Sequence, residues 1–238
     1  MAAKTYRQEI KQLLSPAQTV LLEQRIRAIL PPDIHNKDNN SYLIRSIYFD
    51  TITDRAYEEK ESGIYNREKI RIRFYDYQDN LIKLERKEKK GNLINKESLT
   101  ISKETAEAMI SGDYNCLPAY KHPLTDRIYS MGCSEGLRPT VVVDYVRSAY
   151  VYPVGNVRIT FDKALQAGRP DISIWKPGGV FDVLSGTTIL EIKFDQYLPE
   201  HIRLLLCSVP GEKIALSKYV LSRQNLLWKQ GNYLGGRK

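Results

Sequence analysis

Five stretches of this chain carry charged residues at every second position with mostly apolar residues between them. They are Arg7-Gln8-Glu9-Ile10-Lys11, Lys69-Ile70-Arg71-Ile72-Arg73-Phe74, Lys83-Leu84-Glu85-Arg86-Lys87, Arg158-Ile159-Thr160-Phe161-Asp162 and Glu191-Ile192-Lys193-Phe194-Asp195. Side chains alternate faces along a strand, so each stretch has one apolar and one ionic face. One such strand is an ordinary half-exposed strand. Five, rich in cations and each with a carboxylate on it or beside it, predict a sheet whose ionic faces converge. A barrel lined with Lys, Arg and Glu suits a polyanion and a metal ion.

At 238 residues the chain has room for one large domain or two small ones. Its 36 Lys and Arg against 28 Asp and Glu give a formal charge of +8, which favours an anionic partner without choosing among nucleic acid, nucleotide, polyphosphate and membrane surface. Cys116, Cys133 and Cys207 are far apart and lack zinc-finger spacing, as expected of reduced thiols in a cytoplasmic protein. No apolar run reaches the roughly 18 residues of a membrane span, and the start of the chain carries no signal-peptide run.

Local signals divide the chain into elements. A first strand over 6–14 meets Ser15-Pro16, where Ser15 caps a helix with Pro16 at its first position and Gln18 completes a capping box. Val20, Leu21, Ile26, Ile29 and Leu30 form its apolar stripe, and Pro31-Pro32 ends it. Residues 33–40 are a loop. Strands are predicted over 42–50, 68–77, 81–89, 93–102, 139–151, 157–162 and 187–194, with turns at 78–80 and at Gly91-Asn92. Helices are predicted over 54–61, 103–110, 124–131, 200–206 and 216–229, and 168–186 is irregular. No linker or repeat interrupts this series. The expectation is a single domain over 1–238, of α+β class. Its core is an antiparallel closed β-barrel of about eight strands with helices packed outside, a size that can hold a small ligand.

Each ionic strand also has a plain explanation. Arg71 and Arg73 share a face with Lys69, and guanidiniums two residues apart repel unless an anion lies between them. Taken alone, that strand reads more readily as a solvated basic face. Lys83, Glu85, Lys87 and Lys89, with Lys96 and Glu97 on the next arm, fit cross-strand ion pairing, which accounts for the carboxylates better than for the surplus cations. Glu191 and Lys193 sit in the most apolar of the ionic stretches, where an unpaired charge is costly. Such a Glu-x-Lys face can hold a divalent ion and an anion together, and Glu9 and Lys11 repeat the spacing. Tyr145 and Arg147 share one strand face, Arg158 follows on the next strand, and Lys218 opens the last helix. The phosphate loop of nucleotide hydrolases, the His-Glu-x-x-His zinc motif and the Gly-x-Ser-x-Gly elbow are absent, and His35, His122 and His201 are isolated.

In chain order, Arg7-x-Glu9-x-Lys11, Ser46-Ile47-Tyr48-Phe49-Asp50, Lys69-x-Arg71-x-Arg73 and Leu84-Glu85-Arg86-Lys87 are followed by Asn95-Lys96-Glu97-Ser98 and Tyr145-x-Arg147. Arg158-Ile159-Thr160-Phe161-Asp162, Leu190-Glu191-Ile192-Lys193 and Ser217-Lys218-Tyr219 complete the series. This ordered set resembles the VTC domain of polyphosphate polymerases, within the triphosphate tunnel metalloenzymes, over nearly the whole chain. The resemblance implies a basic tunnel in which Lys11, Arg71, Arg73, Lys87, Lys96, Arg147, Arg158 and Lys218 bind phosphate, assisted by Tyr145 and with Lys193 beside them. It implies that Glu191, with Glu9 as a second candidate, holds Mn²⁺ or Mg²⁺. Arg7 stands where the wider superfamily has a first Glu, which removes one possible ligand and adds a cation.

The implied chemistry is metal-dependent transfer of the ATP γ-phosphoryl group to a polyphosphate, pyrophosphate or orthophosphate acceptor. Catalytic weight falls on Lys11, Arg71, Arg73, Lys87, Arg147, Arg158 and Glu191, and no nucleic acid is expected as a partner. Fungal relatives carry phosphate-sensing and membrane segments that this sequence does not show, so the expectation is a stand-alone bacterial enzyme in the cytoplasm. Three rival readings stand beside it. One is a triphosphatase of the same fold. Another is a Glu-x-Lys nuclease with Asp171 or Asp182 as its upstream acid. The third is a non-catalytic polyanion-binding module, which sixteen tyrosines would also suit.

Overall fold

The alternating stretches are strands. A computed structural model of the chain describes residues 8–36, 41–91 and 93–235. Arg7 of the first ionic stretch, residues 37–40 of the Asn-rich loop and Asn92 of the hairpin turn lie outside the described residues. The elements are, in order, β1 (Gln8–Leu14), α1 (Pro16–Ile29), β2 (Tyr42–Asp50), α2 (Arg55–Glu61), β3 (Asn66–Tyr75), β4 (Gln78–Lys90), β5 (Leu93–Ile101), α3 (Lys103–Ile110) and α4 (Pro123–Glu135). They continue with β6 (Arg138–Tyr152), β7 (Val157–Gly168), β8 (Val180–Asp182), β9 (Thr188–Phe194), α5 (Glu200–Cys207), β10 (Glu212–Lys213) and α6 (Lys218–Gly235). Among the described residues, no helix is long and apolar enough to cross a membrane.

The α+β class and the antiparallel sheet are present. The strands pair in the order β10-β1-β9-β7-β6-β2-β3-β4-β5, with β8 on β7. The expected barrel closure is not seen among these pairings, because the path runs from β10 to β5 without returning on itself. Chain contacts divide into two compact units. One comprises Met1–Leu43, Tyr145–Leu165 and Leu184–Leu216; the other comprises Ile44–Asp144, Gln166–Val183 and Ser217–Lys238.

In the first unit the apolar faces of β1, β7 and β9 carry Ile10, Ile159, Phe161, Leu190 and Ile192, which pack with Leu22 and Ile26 of α1 and with Ile202 and Leu206 of α5. Ser15 caps α1 by accepting from the Gln18 N–H, and Gln18 accepts from the Ser15 N–H, the reciprocal pair expected from the sequence. The buried stripe differs from the expected one. Thr19, Leu22, Ile26 and Leu30 face the core, while Val20, Leu21 and Ile29 are exposed. Apolar residues occur on both sides of this short helix, and the stripe follows the positions that meet the sheet.

In the second unit Ile47, Phe49, Ile70, Ile72, Phe74, Ile82 and Leu84 make an apolar sheet face covered by Met109 of α3 and by Leu124, Ile128 and Met131 of α4. Ser102 caps α3 through the Thr105 N–H. The β3–β4 turn lies at Asp76-Tyr77 rather than at 78–80. Both residues have positive φ, 50° and 58°, as a two-residue hairpin turn compatible with strand twist requires. A tyrosine is an unexpected occupant of that conformation, and it is held from both sides. The Arg45 guanidinium lies 4.6 Å from the Tyr77 ring centroid, and Tyr77 Oη donates to Asp144.

Arg45 is fully buried. Its Nε and Nη2 reach the two Asp144 carboxylate oxygens at 2.8 and 2.7 Å, and Nη1 donates to the backbone carbonyls of Ser173, Ile174 and Lys176. The pair therefore joins β2, β6 and the irregular segment after β7. Removing one partner of a buried pair strands the other charge. Arg45→Ala is expected to lower the unfolding free energy by about 3–5 kcal/mol in denaturant titration, and the paired change Arg45→Met with Asp144→Leu by less.

Candidate functional site

In the first unit, antiparallel registers set the charges of three strands against one another. Lys11 of β1 stands opposite Glu191 of β9, which stands opposite Thr160 of β7; Glu9, Lys193 and Arg158 form the next row. Glu191 is only 6% exposed and collects three cations. Lys193 Nζ lies 3.3 Å away, Arg147 Nη2 of β6 lies 3.7 Å away, and Lys11 Nζ lies 3.8 Å away. Lys11 also touches Glu9 at 2.8 Å and donates to the Leu216 carbonyl.

Arg147 is held twice more by Asp162, with Nε and Nη2 at 2.6 and 2.7 Å from its two oxygens, and its guanidinium lies 5.3 Å from the Tyr145 ring centroid. Burial works against the Arg147 charge, but Asp162, followed by other neighbours, overcomes it and holds the guanidinium firmly cationic. Arg158 turns to Asp33, 3.1 Å away, and its buried Nε has no hydrogen-bond partner among the described residues. The structure therefore brings Glu9, Lys11, Tyr145, Arg147, Glu191 and Lys193 into one network, with Arg158 on the neighbouring row.

In the second unit the ionic face of β3, β4 and β5 is laid out in rows. Lys69, Lys87 and Lys96 stand abreast, and Arg71, Glu85 and Ser98 form the next row. Glu85 is 3% exposed and accepts from three cations: Arg71 Nε at 2.8 Å, Arg73 Nη2 at 2.6 Å and Lys96 Nζ at 2.7 Å. Burial raises the Glu85 pKa, but Arg71, Arg73 and Lys96 outweigh it and bring it from 4.5 to about 2. Arg71 Nη1 also donates to Tyr48 Oη of β2, and Lys69 Nζ donates to Ser217 Oγ, just before Lys218 opens α6. Arg71, Arg73 and Lys96 thus meet at one carboxylate, and Lys87 shares a row with Lys96.

Of the carboxylates that organise these cations, Glu191 and Glu9 are site candidates in the sequence, whereas Glu85, Asp162 and Asp33 are not. Asp162 and Glu85 stand inside alternating strands, and that alternation was the available signal; Asp33 follows Pro31-Pro32 with no signal at all. Lys69, adjacent to the candidate arginines on one strand face, is a further cation of the group.

Among the described residues, no three His, Cys, Asp or Glu side chains are grouped to hold a metal ion by themselves. Glu9 and Glu191 both touch Lys11. A pair of carboxylates among these cations fits Mg²⁺ or Mn²⁺ in one mode, in which water and an anionic ligand would complete the shell. His122 spends its Nδ1 on the N–H of Leu124 at the start of α4. Asp171 pairs with exposed Arg169, and Asp182 accepts from Gln166, so both acids considered for a nuclease have partners of their own.

No curated protein matches the chain. Among solved structures, a Bacillus halodurans protein described as a candidate adenylate cyclase aligns with a TM-score of 0.49 at 14% identity, over 90% of this chain and 93% of that one. The Schizosaccharomyces pombe Mediator head module aligns with a TM-score of 0.41 at 9% identity, over 97% and 95%. Neither likeness bears on activity. The VTC domain model matches residues 6–227, from the first ionic strand well into α6. The chain belongs to the VTC domain family.

Proposed function

We propose that this chain is a cytoplasmic polyphosphate polymerase that transfers the γ-phosphoryl group of ATP to the end of a growing polyphosphate chain. The observation that supports this most is the row of Lys69, Lys87 and Lys96 beside Arg71 and Arg73 on adjacent strands. Like charges set directly opposite one another are unfavourable in an isolated sheet. A chain of phosphates, with a negative charge at each unit, relieves that repulsion along its length. Membership of the VTC domain family supports the same reading. The basic tunnel and the single functional domain over 1–238 are part of this proposal.

In this reading a terminal oxygen of the acceptor phosphate attacks the γ-phosphorus of ATP. The bond from that phosphorus to the β–γ bridging oxygen breaks, and ADP leaves with the electron pair. One phosphoanhydride bond is broken and one is formed. The acceptor oxygen is already anionic, so no histidine base is needed. Arg71, Arg73, Lys87, Lys96 and Lys218 bind phosphate in one unit, and Lys11, Tyr145, Arg147, Arg158 and Lys193 do so in the other. Glu85 and Asp162 keep the guanidiniums aimed before substrate arrives, which is electrostatic preorganisation. Glu191 and Glu9 would hold Mn²⁺ or Mg²⁺, which when bound neutralises phosphate charge.

The test is incubation with ATP and either metal, with products resolved by chain length. Polymers that lengthen with time are expected, and release of orthophosphate without polymer would overturn the reading in favour of a triphosphatase. Arg71→Ala and Arg73→Ala are each expected to lower synthesis on the order of 100-fold or more while the fold persists by circular dichroism.

The depressed pKa of Glu85 gives a second expectation. Its ion pairs contribute stability that is complete above pH 4.5 and lost as the pH falls toward 2. Glu85→Gln should flatten that part of the stability profile, removing roughly 3 kcal/mol of pH dependence.

A further inference from the structure

Asp50, at the end of β2, is 1% exposed, and its carboxylate accepts four hydrogen bonds. Three come from the backbone N–H groups of Thr51, Ala56 and Tyr57, the last two in the first turn of α2, at 2.8, 2.8 and 3.0 Å. The fourth comes from Tyr219 Oη of α6 at 2.5 Å. Tyr219 is 2% exposed, and burial raises its pKa, so the phenol stays a donor at ordinary pH. Its ring centroid lies 5.3 Å from the Lys69 ammonium and 5.1 Å from the Tyr48 ring. Tyr48 in turn accepts from Arg71 at 3.0 Å, with the Arg71 guanidinium 5.8 Å from its ring centroid. Lys69 donates to Ser217 Oγ at 2.7 Å, two residues before Tyr219.

These contacts form one line from a buried carboxylate through two stacked tyrosines to two cations of the ionic face. Neither Asp50 nor Tyr219 is among the proposed phosphate-binding groups, and Lys69 stands on the same strand face as Arg71. Cations over aromatic faces lose freedom of aim, because the ring attracts the charge from one side only. Arg223 with Asp54, and Gln224 with Glu61, join α6 to α2 and its cap, so the anchor point of Tyr219 is itself fixed.

We propose that Lys69 is a further phosphate-binding residue and that Tyr219, clamped by Asp50 and stacked on Tyr48, is the positioning residue that aims it together with Arg71. The inference rests on the phosphate-binding reading of the β3–β4 face and extends it to Lys69 and, behind it, to Tyr219 and Asp50, which touch no substrate. It carries a reciprocal consequence: if the attachment of α6 sets phosphate affinity, then phosphate strengthens the attachment of α6 by the same factor.

The experiment is calorimetric titration of inorganic pyrophosphate into the full chain and into Tyr219→Phe, Tyr219→Leu, Lys69→Met and the double variant Lys69→Met/Tyr219→Leu, each checked for folding by circular dichroism. Tyr219→Phe keeps the ring under Lys69 and loses the bond to Asp50; Tyr219→Leu loses both. Weakening of roughly 10-fold is expected for Tyr219→Leu, less for Tyr219→Phe, and a clearly smaller further weakening when Tyr219→Leu is added to Lys69→Met, the remainder being its effect through Arg71. A purely structural role would make the two changes add, and additivity would overturn the proposal, as would unchanged affinity in the folded variants. In the unaltered chain, hydrogen exchange in the first turns of α6 is expected to slow when pyrophosphate is added, and unchanged exchange would also overturn it. Pyrophosphate binding that follows this pattern in a chain that makes no polymer would sink the polymerase reading and leave the positioning role standing. Absence of pyrophosphate binding by the unaltered chain would overturn both.

Discussion

Holding several cations on one strand face, in advance of any ligand, is the demand around which this structure is arranged. Guanidiniums two residues apart repel, and strand alternation leaves them no way to turn from one another. Glu85 resolves this for Arg71, Arg73 and Lys96 by sitting nearly buried between them and accepting from all three. Burial makes that carboxylate expensive, and the three cations are what keep it ionised. The cost runs both ways: removing either side leaves the other desolvated and unpaired.

The first unit reaches the same balance with different parts. Asp162 takes the two-point grip on Arg147, and Glu191 meets Lys193, Arg147 and Lys11 at 3.3, 3.7 and 3.8 Å. The difference between Asp162 and Glu191 in how each meets Arg147 is one that neither residue type nor spacing displays.

Much of the backbone was legible because it rests on local rules. Tyr42–Asp50 is a strand over its expected span, Ser15 and Ser102 cap the helices assigned to them, and the cations placed on ionic faces are on them. The misreadings fall where tertiary contacts decide. The turn at Asp76-Tyr77 depends on Arg45 and Asp144 holding a tyrosine at positive φ, against its local preference. The buried stripe of α1 depends on which side meets the sheet. The partners of the site cations, Glu85, Asp162 and Asp33, depend on strand register and on a loop that returns to Arg158. Alternation says that a face is ionic; only register says which charge faces which.

Arg45 grips the segment after β7 through main-chain oxygens, at Ser173, Ile174, Lys176 and Gly178. A carbonyl oxygen is the same whatever side chain its residue bears. The side chains of Ser173 and Lys176 therefore play no part in the grip, whereas Arg45 and Asp144 can change only together. The irregular path of this segment is thus fixed from far away in the chain by Arg45 and Asp144, and locally by Ile174 and Trp175, which pack in and against the core, and by Gly178 and Gly179 at positive φ.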